Sequence, residues 1–321
     1  MSKRVGLGIL GLGAMGTELL EAAARHDDFE VMLCADVNEA AVARERRRYP
    51  GIGFTTEPRT VVASEGVDAI YIATPPRFHA AYAMEAMRAG MAVFCEKPLA
   101  VDLAEGQAMA DLAAQTGVVT AVNFALSDRH ATLEIERALA AGELGNVGGV
   151  DIRLAFPQWP RAFQADAGWL SGRAEGGFVR EVFSHFAYLT DRLIGELEPV
   201  FTTLDFPQPD EASENLAFGL FRAGGIPVRV FGQAGLAVPE SYEWAISGSL
   251  RSYRLRNWGE LQVSDGKAWQ DVALIGERGS EYTRLSAFAR AIRGEPQTNL
   301  ADFAAGLRVQ RAVEAFHTKA N

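Results

Sequence analysis

Cysteine is scarce, at two in 321 residues. Cys34 and Cys95 both fall in apolar strand-like runs, VMLCAD and AVFCEK, which suits buried thiols in a reducing compartment and excludes a disulfide framework. No apolar run reaches the roughly 18–20 residues of a membrane span. The opening MSKRVGLGIL leads straight into a strand pattern, without the long apolar segment and small-residue cleavage site of a secretory signal. The expected location is therefore the cytoplasm, with no membrane partner. Positive charge is in deficit, with 31 Lys and Arg against 41 Asp and Glu and a net charge of -10, so no nucleic-acid partner is expected. Internal repeats and low-complexity segments are also absent. What remains is a globular balance, 48% apolar and 22% charged, in a chain long enough for two domains with sizeable cores.

Two rhythms divide it. From Arg4 to about Phe124 short apolar runs (VGLGIL, EVMLCAD, DAIYIA, MAVFCE, GVVTAVNF) alternate with Ala-, Leu-, Glu- and Arg-rich helical stretches. Continuous apolar runs suit strands covered on both faces, so this half reads as a doubly wound parallel sheet. After a helix near Arg129–Ala141, the run GNVGGVDIRLAF reads as a strand, followed by the irregular aromatic stretch PQWPRAFQADAGWL and a long helix from near Gly177. Alternating runs from about Pro199 to Leu274, many joined by Gly-containing turns, predict a mostly antiparallel sheet. Two helices, near Glu281–Arg293 and Asp302–Lys319, close the chain. The expected architecture is α/β, with a dinucleotide-binding Rossmann domain over 1–124. A substrate-binding and oligomerisation α/β domain, carrying a largely antiparallel open sheet, is expected over 125–321.

The first strand ends in ILGLGAMGTELL, with Gly11, Gly13 and Gly16 spaced G-x-G-x-x-G. That spacing is informative because it joins a strand to a helix. Gly11 permits the tight turn, Gly13 lets a pyrophosphate approach, and Gly16 lets helix and strand lie close, with the helix N-terminus facing the phosphates. Asp36 ends the second strand twenty residues after Gly16. A carboxylate there accepts from ribose hydroxyls and repels a 2′-phosphate, or else it caps the next helix. The run Arg46, Arg47, Arg48 reads as a solvated face, so NAD is expected over NADP.

With GLGAMG, ATPPRFH, EKP and GGFVREVFSH in that order, nearly the whole chain resembles the glucose–fructose oxidoreductase / inositol dehydrogenase / MocA family. The resemblance implies a Rossmann domain followed by an α/β domain whose open sheet forms an oligomer interface, hence a homodimer or homotetramer. It implies cofactor contacts at Gly11, Leu12, Gly13, Ala14, Met15 and Gly16, at Thr74, Pro75 and His79, at Glu96 and at Asn123. It makes Lys97 the catalytic lysine, implies a cis bond at Pro98, and matches the family's Asp and His to Glu181 and His185. Two departures stand out. Glu181 is one methylene longer than the usual Asp, and the arginine common after the sixth strand is absent from NFALSD.

Moving a hydride to or from a carbinol carbon needs a group that takes or gives the hydroxyl proton. His185 suits that task. Glu181, four residues earlier, could hold its other nitrogen, and Lys97 could donate to the substrate oxygen. At roughly 100° per residue, Phe178, Val182, Phe186, Leu189 and Leu193 form one stripe. Glu181, His185, Tyr188 and Arg192 flank it, while Arg180, Ser184 and Asp191 face solvent. A packing histidine remains the other reading of His185. No further His or Cys cluster completes a metal site, so no metal is expected.

Before that helix, Trp159, Arg161, Gln164, Asp166 and Trp169 offer aromatic faces and hydrogen-bonding groups suited to a sugar, or a packed irregular connection. His26, His130 and His317 read as surface residues, and Tyr49, Trp244 and Trp258 as structural ones. The leading expectation is an NAD(P)-dependent dehydrogenase or reductase acting on the CH–OH group of a sugar, cyclitol or derivative. The alternatives are the same enzyme class on a dihydrodiol or other carbonyl compound, and a non-catalytic NAD-binding regulator.

Overall fold

The computed structural model describes residues 3–164, 168–208, 211–276, 278–296 and 299–318. The chain divides into two compact units, Met1–Ser127 with Gly279–Leu307, and Asp128–Arg278 with Arg308–Asn321. The segment 279–307, which the sequence pattern groups with the second half, clusters with the first.

Unit one holds strands β1 (Val5–Leu10), β2 (Phe29–Ala35), β3 (Gly53–Thr55), β4 (Ala69–Ile72), β5 (Ala92–Cys95) and β6 (Thr120–Val122). They form a parallel sheet in the order β3-β2-β1-β4-β5-β6. Every residue of β1, β4 and β5 is buried, which is why these runs show no polar alternation. The edge strand β3 has three residues and no apolar run to announce it. Helices α1 (Ala14–Ala24), α2 (Glu39–Arg48), α3 (Pro58–Val62), α4 (His79–Arg88) and α5 (Leu103–Thr116) connect the strands. Asn38 caps α2 and Asp102 caps α5, each through a side-chain oxygen on backbone N–H groups. Gly117, at φ 67°, ends α5.

Unit two opens with α6 (His130–Ala140), β7 (Val147–Phe156), a π-helical turn at Val179–Phe183, and α7 (Ser184–Leu193). Strands β8 (Leu197–Asp205), β9 (Leu216–Ala223), β10 (Ile226–Ala234), β11 (Ser241–Gly248), β12 (Ser252–Arg256), β13 (Glu260–Ser264) and β14 (Gln270–Asp271) follow. The eight strands run β14-β13-β12-β11-β7-β10-β9-β8, with only the β7–β10 pair parallel. One face buries Ile152, Leu154, Phe221, Val230, Trp244 and Ile246. Trp244 donates its indole N–H to Thr190 of α7 at 2.9 Å. The other face leaves Phe201, Phe218 and Phe231 exposed.

The closing helices are α8 (Glu281–Ile292) and α9 (Phe303–His317). In unit one, Leu285, Phe288 and Ala289 of α8 join a core with Leu7, Ile9, Leu19, Leu20, Phe29 and Phe94. Burying a side chain like Phe288 stabilises by about 1.5–3 kcal/mol. His26, expected at the surface, is instead buried, with Nε2 3.1 Å from the Tyr282 carbonyl and 2.9 Å from Ser286 Oγ. His317 is half-buried, and desolvation followed by Arg180 and Arg173 holds its pKa down to about 3.

The solvent face expected on the 178–193 helix is also covered. Ser184 and Asp191 are buried, and in unit two Arg308 of α9 makes a two-pronged pair with Asp191 at 2.8 Å. Arg180 likewise pairs with Glu314 at 3.1 Å. An amphipathic reading of one helix cannot register a second helix that supplies arginine and glutamate partners from more than a hundred residues away.

Candidate active site

In unit one the glycine loop leaves β1 and enters α1. Gly11 has φ 96°, and a Cβ on Gly16 would meet the Gly11 carbonyl oxygen at 1.9 Å. Both positions therefore require glycine. A Cβ on Gly13 would meet nothing within 4 Å, so the space above the loop is open where a pyrophosphate approaches. Ala14 and Met15 crest the loop, exposed, while Leu12 is buried. Asp36 Oδ2 accepts from the Leu12 N–H at 2.6 Å and Oδ1 from the Asn38 N–H at 2.8 Å. Each oxygen keeps a lone pair for a ribose hydroxyl. Helix α1 carries no acidic residue in its first turn and no side-chain cap, so its N-terminal N–H groups stay available to an anion.

The Glu96-Lys97-Pro98 turn leaves the carboxyl end of β5, where parallel sheets bind ligands, and its Lys97–Pro98 bond is cis. Glu96 faces inward, 6% exposed. It accepts from the Tyr71 hydroxyl and from Asn123 Nδ2, the latter at 2.7 Å. Asn123 Nδ2 also reaches Glu281 Oε2 at 3.2 Å, and Glu281 pairs with Arg284. The turn carrying Lys97 thus hangs on a buried polar network that reaches the N-terminus of α8. His79, assigned to the cofactor by the resemblance, has no exposed surface. Its ring nitrogens lie 2.8 Å from the Thr74 and Pro98 carbonyls, so it ties together the two segments meant to flank the nicotinamide. Thr74 Oγ1 and Asn123 Oδ1 are buried without a hydrogen-bond partner among the described residues. These orphaned acceptors, with the open space at Gly13, fit a dinucleotide whose ribose and carboxamide donate hydrogen bonds.

Burial pushes the Glu96 carboxyl up to about 7, against the hydrogen bond from Tyr71. In unit two, burial likewise pushes Glu214 up to about 7, against bonds from backbone N–H groups. A carboxyl whose folded pKa is raised holds its proton longer in the folded state. Its contribution is complete below the ordinary value of 4.5 and is lost as pH rises toward 7. Glu96→Gln and Glu214→Gln should therefore each flatten the loss of stability between pH 4.5 and 7, on the order of 2–3 kcal/mol per group. Urea midpoints at pH 5 and pH 8 measure it, and slopes matching wild type in both variants contradict it.

In unit two the chain enters the His185 helix through Gly176 and Gly177. Gly177 has φ 101°, and a Cβ there would lie 2.1 Å from Glu214 Oε2. Glu214 is buried and its Oε1 accepts from the Val179 N–H at 2.7 Å, so it caps the π-helical turn that leads into α7. Glu181 accepts from Gln164 Nε2 at 3.0 Å and pairs with Arg161 at 3.5 Å. Arg161 is itself buried, donating to Gln164 at 2.8 Å and to the Tyr242 hydroxyl at 3.2 Å. His185 is 7% exposed and stands perpendicular to Trp258, ring centroids 5.2 Å apart. Asn257 and Trp258 adopt φ of 44° and 68° in the β12–β13 turn, a conformation rare outside Gly and Asn. That turn delivers the indole to His185 and stacks it on Phe186 at 5.2 Å.

Of the aromatic stretch, Trp159 donates to the Leu170 carbonyl at 3.1 Å and packs on Phe156 and Phe178. Trp169 is half-buried, and Asp166 lies outside the described residues. Trp258, Glu214, Glu281 and Arg284 escape sequence reasoning. The only local signal is an aromatic in Asn-Trp-Gly, where a tight hairpin turn favours Asn-Gly.

The family model described as "Oxidoreductase family, NAD-binding Rossmann fold" matches residues 5–124. The 1,5-anhydro-D-fructose reductase of Ensifer adhaerens is 30% identical over 186 residues, 56% of this chain and 54% of that protein. The inositol 2-dehydrogenase of Rhizobium meliloti is 29% identical over 202 residues, 62% and 57% of the two chains. The chain spans less than two thirds of the length of the curated relatives it matches first. Among solved structures, an NAD binding oxidoreductase from Klebsiella pneumoniae superposes with a TM-score of 0.84 at 21% identity, covering 98% of this chain and 96% of that one. That likeness establishes the two-sheet α/β fold. No helix among the described residues is long and apolar enough to cross a membrane, and no three or more of their His, Cys, Asp and Glu side chains cluster as a metal site would need.

Proposed function

We propose, from the premise that this chain belongs through residues 5–124 to the glucose–fructose oxidoreductase / inositol dehydrogenase / MocA family of NAD(P)-binding oxidoreductases, that it oxidises or reduces a polyhydroxylated substrate. The substrate is a sugar, a cyclitol or a derivative, the class to which the reductase and dehydrogenase named above point. The observation that carries the reading is the anchored Glu96-Lys97-Pro98 turn at the carboxyl end of β5. The bound dinucleotide supplies the hydride acceptor. Lys97 donates a hydrogen bond to the substrate oxygen and lowers the cost of its developing charge. His185 takes the hydroxyl proton as the hydride leaves the carbon, and returns it in the reverse direction. Glu181, held by Gln164 and Arg161, orients His185. Asp36 favours NAD over NADP. Phe201, Phe218 and Phe231 on the open sheet face are the anchors of a homo-oligomer.

The experiment is an oxidation screen of sugars and cyclitols with NAD, read by nicotinamide absorbance. A substrate should emerge, and His185→Ala should lower its turnover by about 100-fold or more. A turned-over substrate whose rate His185→Ala leaves unchanged removes His185 from the mechanism.

A further inference from the structure

Leu12 is held at both ends. Its N–H donates to Asp36 Oδ2 at 2.6 Å, and its carbonyl accepts from Arg44 Nη2 at 3.0 Å. Arg44 comes from the second turn of α2, and its Nε donates to Glu45 at 2.6 Å. Glu45 has no exposed surface, and its other oxygen accepts from Arg48 at 2.8 Å. The Arg44 guanidinium is therefore fixed at two points, yet half of its side-chain surface is exposed. Two of its five N–H groups go to Glu45 and Leu12, so the others, including both on Nη1, have no partner among the described residues. The neighbouring arginines turn elsewhere, Arg46 to the Phe54 carbonyl and Arg48 to Glu45 and Glu21.

We propose that Arg44 is a specificity-determining residue of the dinucleotide site, the group that receives a 2′-phosphate. The glycine loop fixes where the adenosine ribose lies, against Asp36 and the Leu12 peptide. On one side of that peptide stands a carboxylate that accepts from a ribose diol and repels phosphate. On the other stands a guanidinium whose fork is pre-set for phosphate oxygens. Asp36 dominates in the wild type, and Arg44 gives NADP(H) its residual affinity. The inference rests on the reading of Asp36 as the ribose acid.

The test measures dissociation constants of NADH and NADPH by calorimetry, without substrate. It compares wild type, Arg44→Met, Asp36→Ala and the double variant, each checked for an unchanged thermal midpoint. Arg44→Met should weaken NADPH by about 10- to 100-fold, the scale of a lost charged hydrogen bond, and NADH by less than about threefold. Asp36→Ala should tighten NADPH, and adding Arg44→Met should cancel the gain. Arg46→Met should change neither constant. Equal weakening of both dinucleotides by Arg44→Met would make it a brace for the loop alone, and an unchanged NADPH constant would send the phosphate elsewhere. Either result overturns the proposal. A wild-type preference for NADPH instead overturns the role of Asp36, which separates the two failures.

Discussion

Lys97→Met should lower turnover of the substrate found by the screen by about 1,000-fold, while the dissociation constant of NADH stays within about threefold. Removing a single well-placed charge-stabilising donor costs on the order of 100- to 1,000-fold in rate. A lysine that also keeps the reacting hydroxyl ionisable belongs at the upper end of that range. The binding half of the prediction follows from the anchoring. Glu96 is held by Tyr71 and Asn123, and His79 spans the Thr74 and Pro98 carbonyls. Removing the Lys97 ammonium leaves those ties intact, so the turn keeps its shape. Single-turnover kinetics alongside NADH titration separates the two effects. Equal losses in binding and turnover would make Lys97 a structural group of the turn, and full activity would remove it from the chemistry.

Gly177→Ala should be the most damaging small substitution in unit two, costing about 3–5 kcal/mol and lowering the thermal midpoint by roughly 10 °C. Two penalties combine. Alanine at φ 101° is strained, and its methyl would occupy the position of the Glu214 carboxylate, 2.1 Å from Oε2. Displacing that buried carboxylate also uncaps the Val179 N–H. The two residues act as one unit, so the alanine should cost markedly less when Glu214 is already Ala. Additive losses in that double-variant cycle would show that the backbone strain acts alone.

The two penalties explain why GGFVREVFSHF was only half legible. The glycine loop, Asp36, the Glu96-Lys97-Pro98 turn and the apolar strands are local patterns. Each needs nothing beyond a dozen neighbouring residues to be recognised. The second glycine of the pair is there for Glu214, thirty-seven residues onward, and no local spacing carries that. The helix stripe is as the spacing predicts, with Phe178, Val182, Phe186 and Leu189 buried. Only its expected solvent face fails, because α9 brings Arg308 and Glu314 to Asp191 and Arg180 from more than a hundred residues away. Trp258 packs on Phe186 and Tyr242 as a structural tryptophan should, and its place against His185 comes from the β12–β13 turn, which no local pattern announces. Glu281 carried no signal, because what makes it part of the site is Asn123, 158 residues earlier.

The return of α8 to the first sheet bears on how the protein is made. Phe29 and Phe94 find their partner in Phe288, and His26 finds Ser286 across 260 residues of sequence. Contacts so distant in the chain are slow to form, and synthesis delivers the N-terminal half first. The first unit therefore starts to form early, yet it cannot be completed until most of unit two has also been made. Until residues near 290 are available, its growing sheet exposes the apolar surface that α8 will cover.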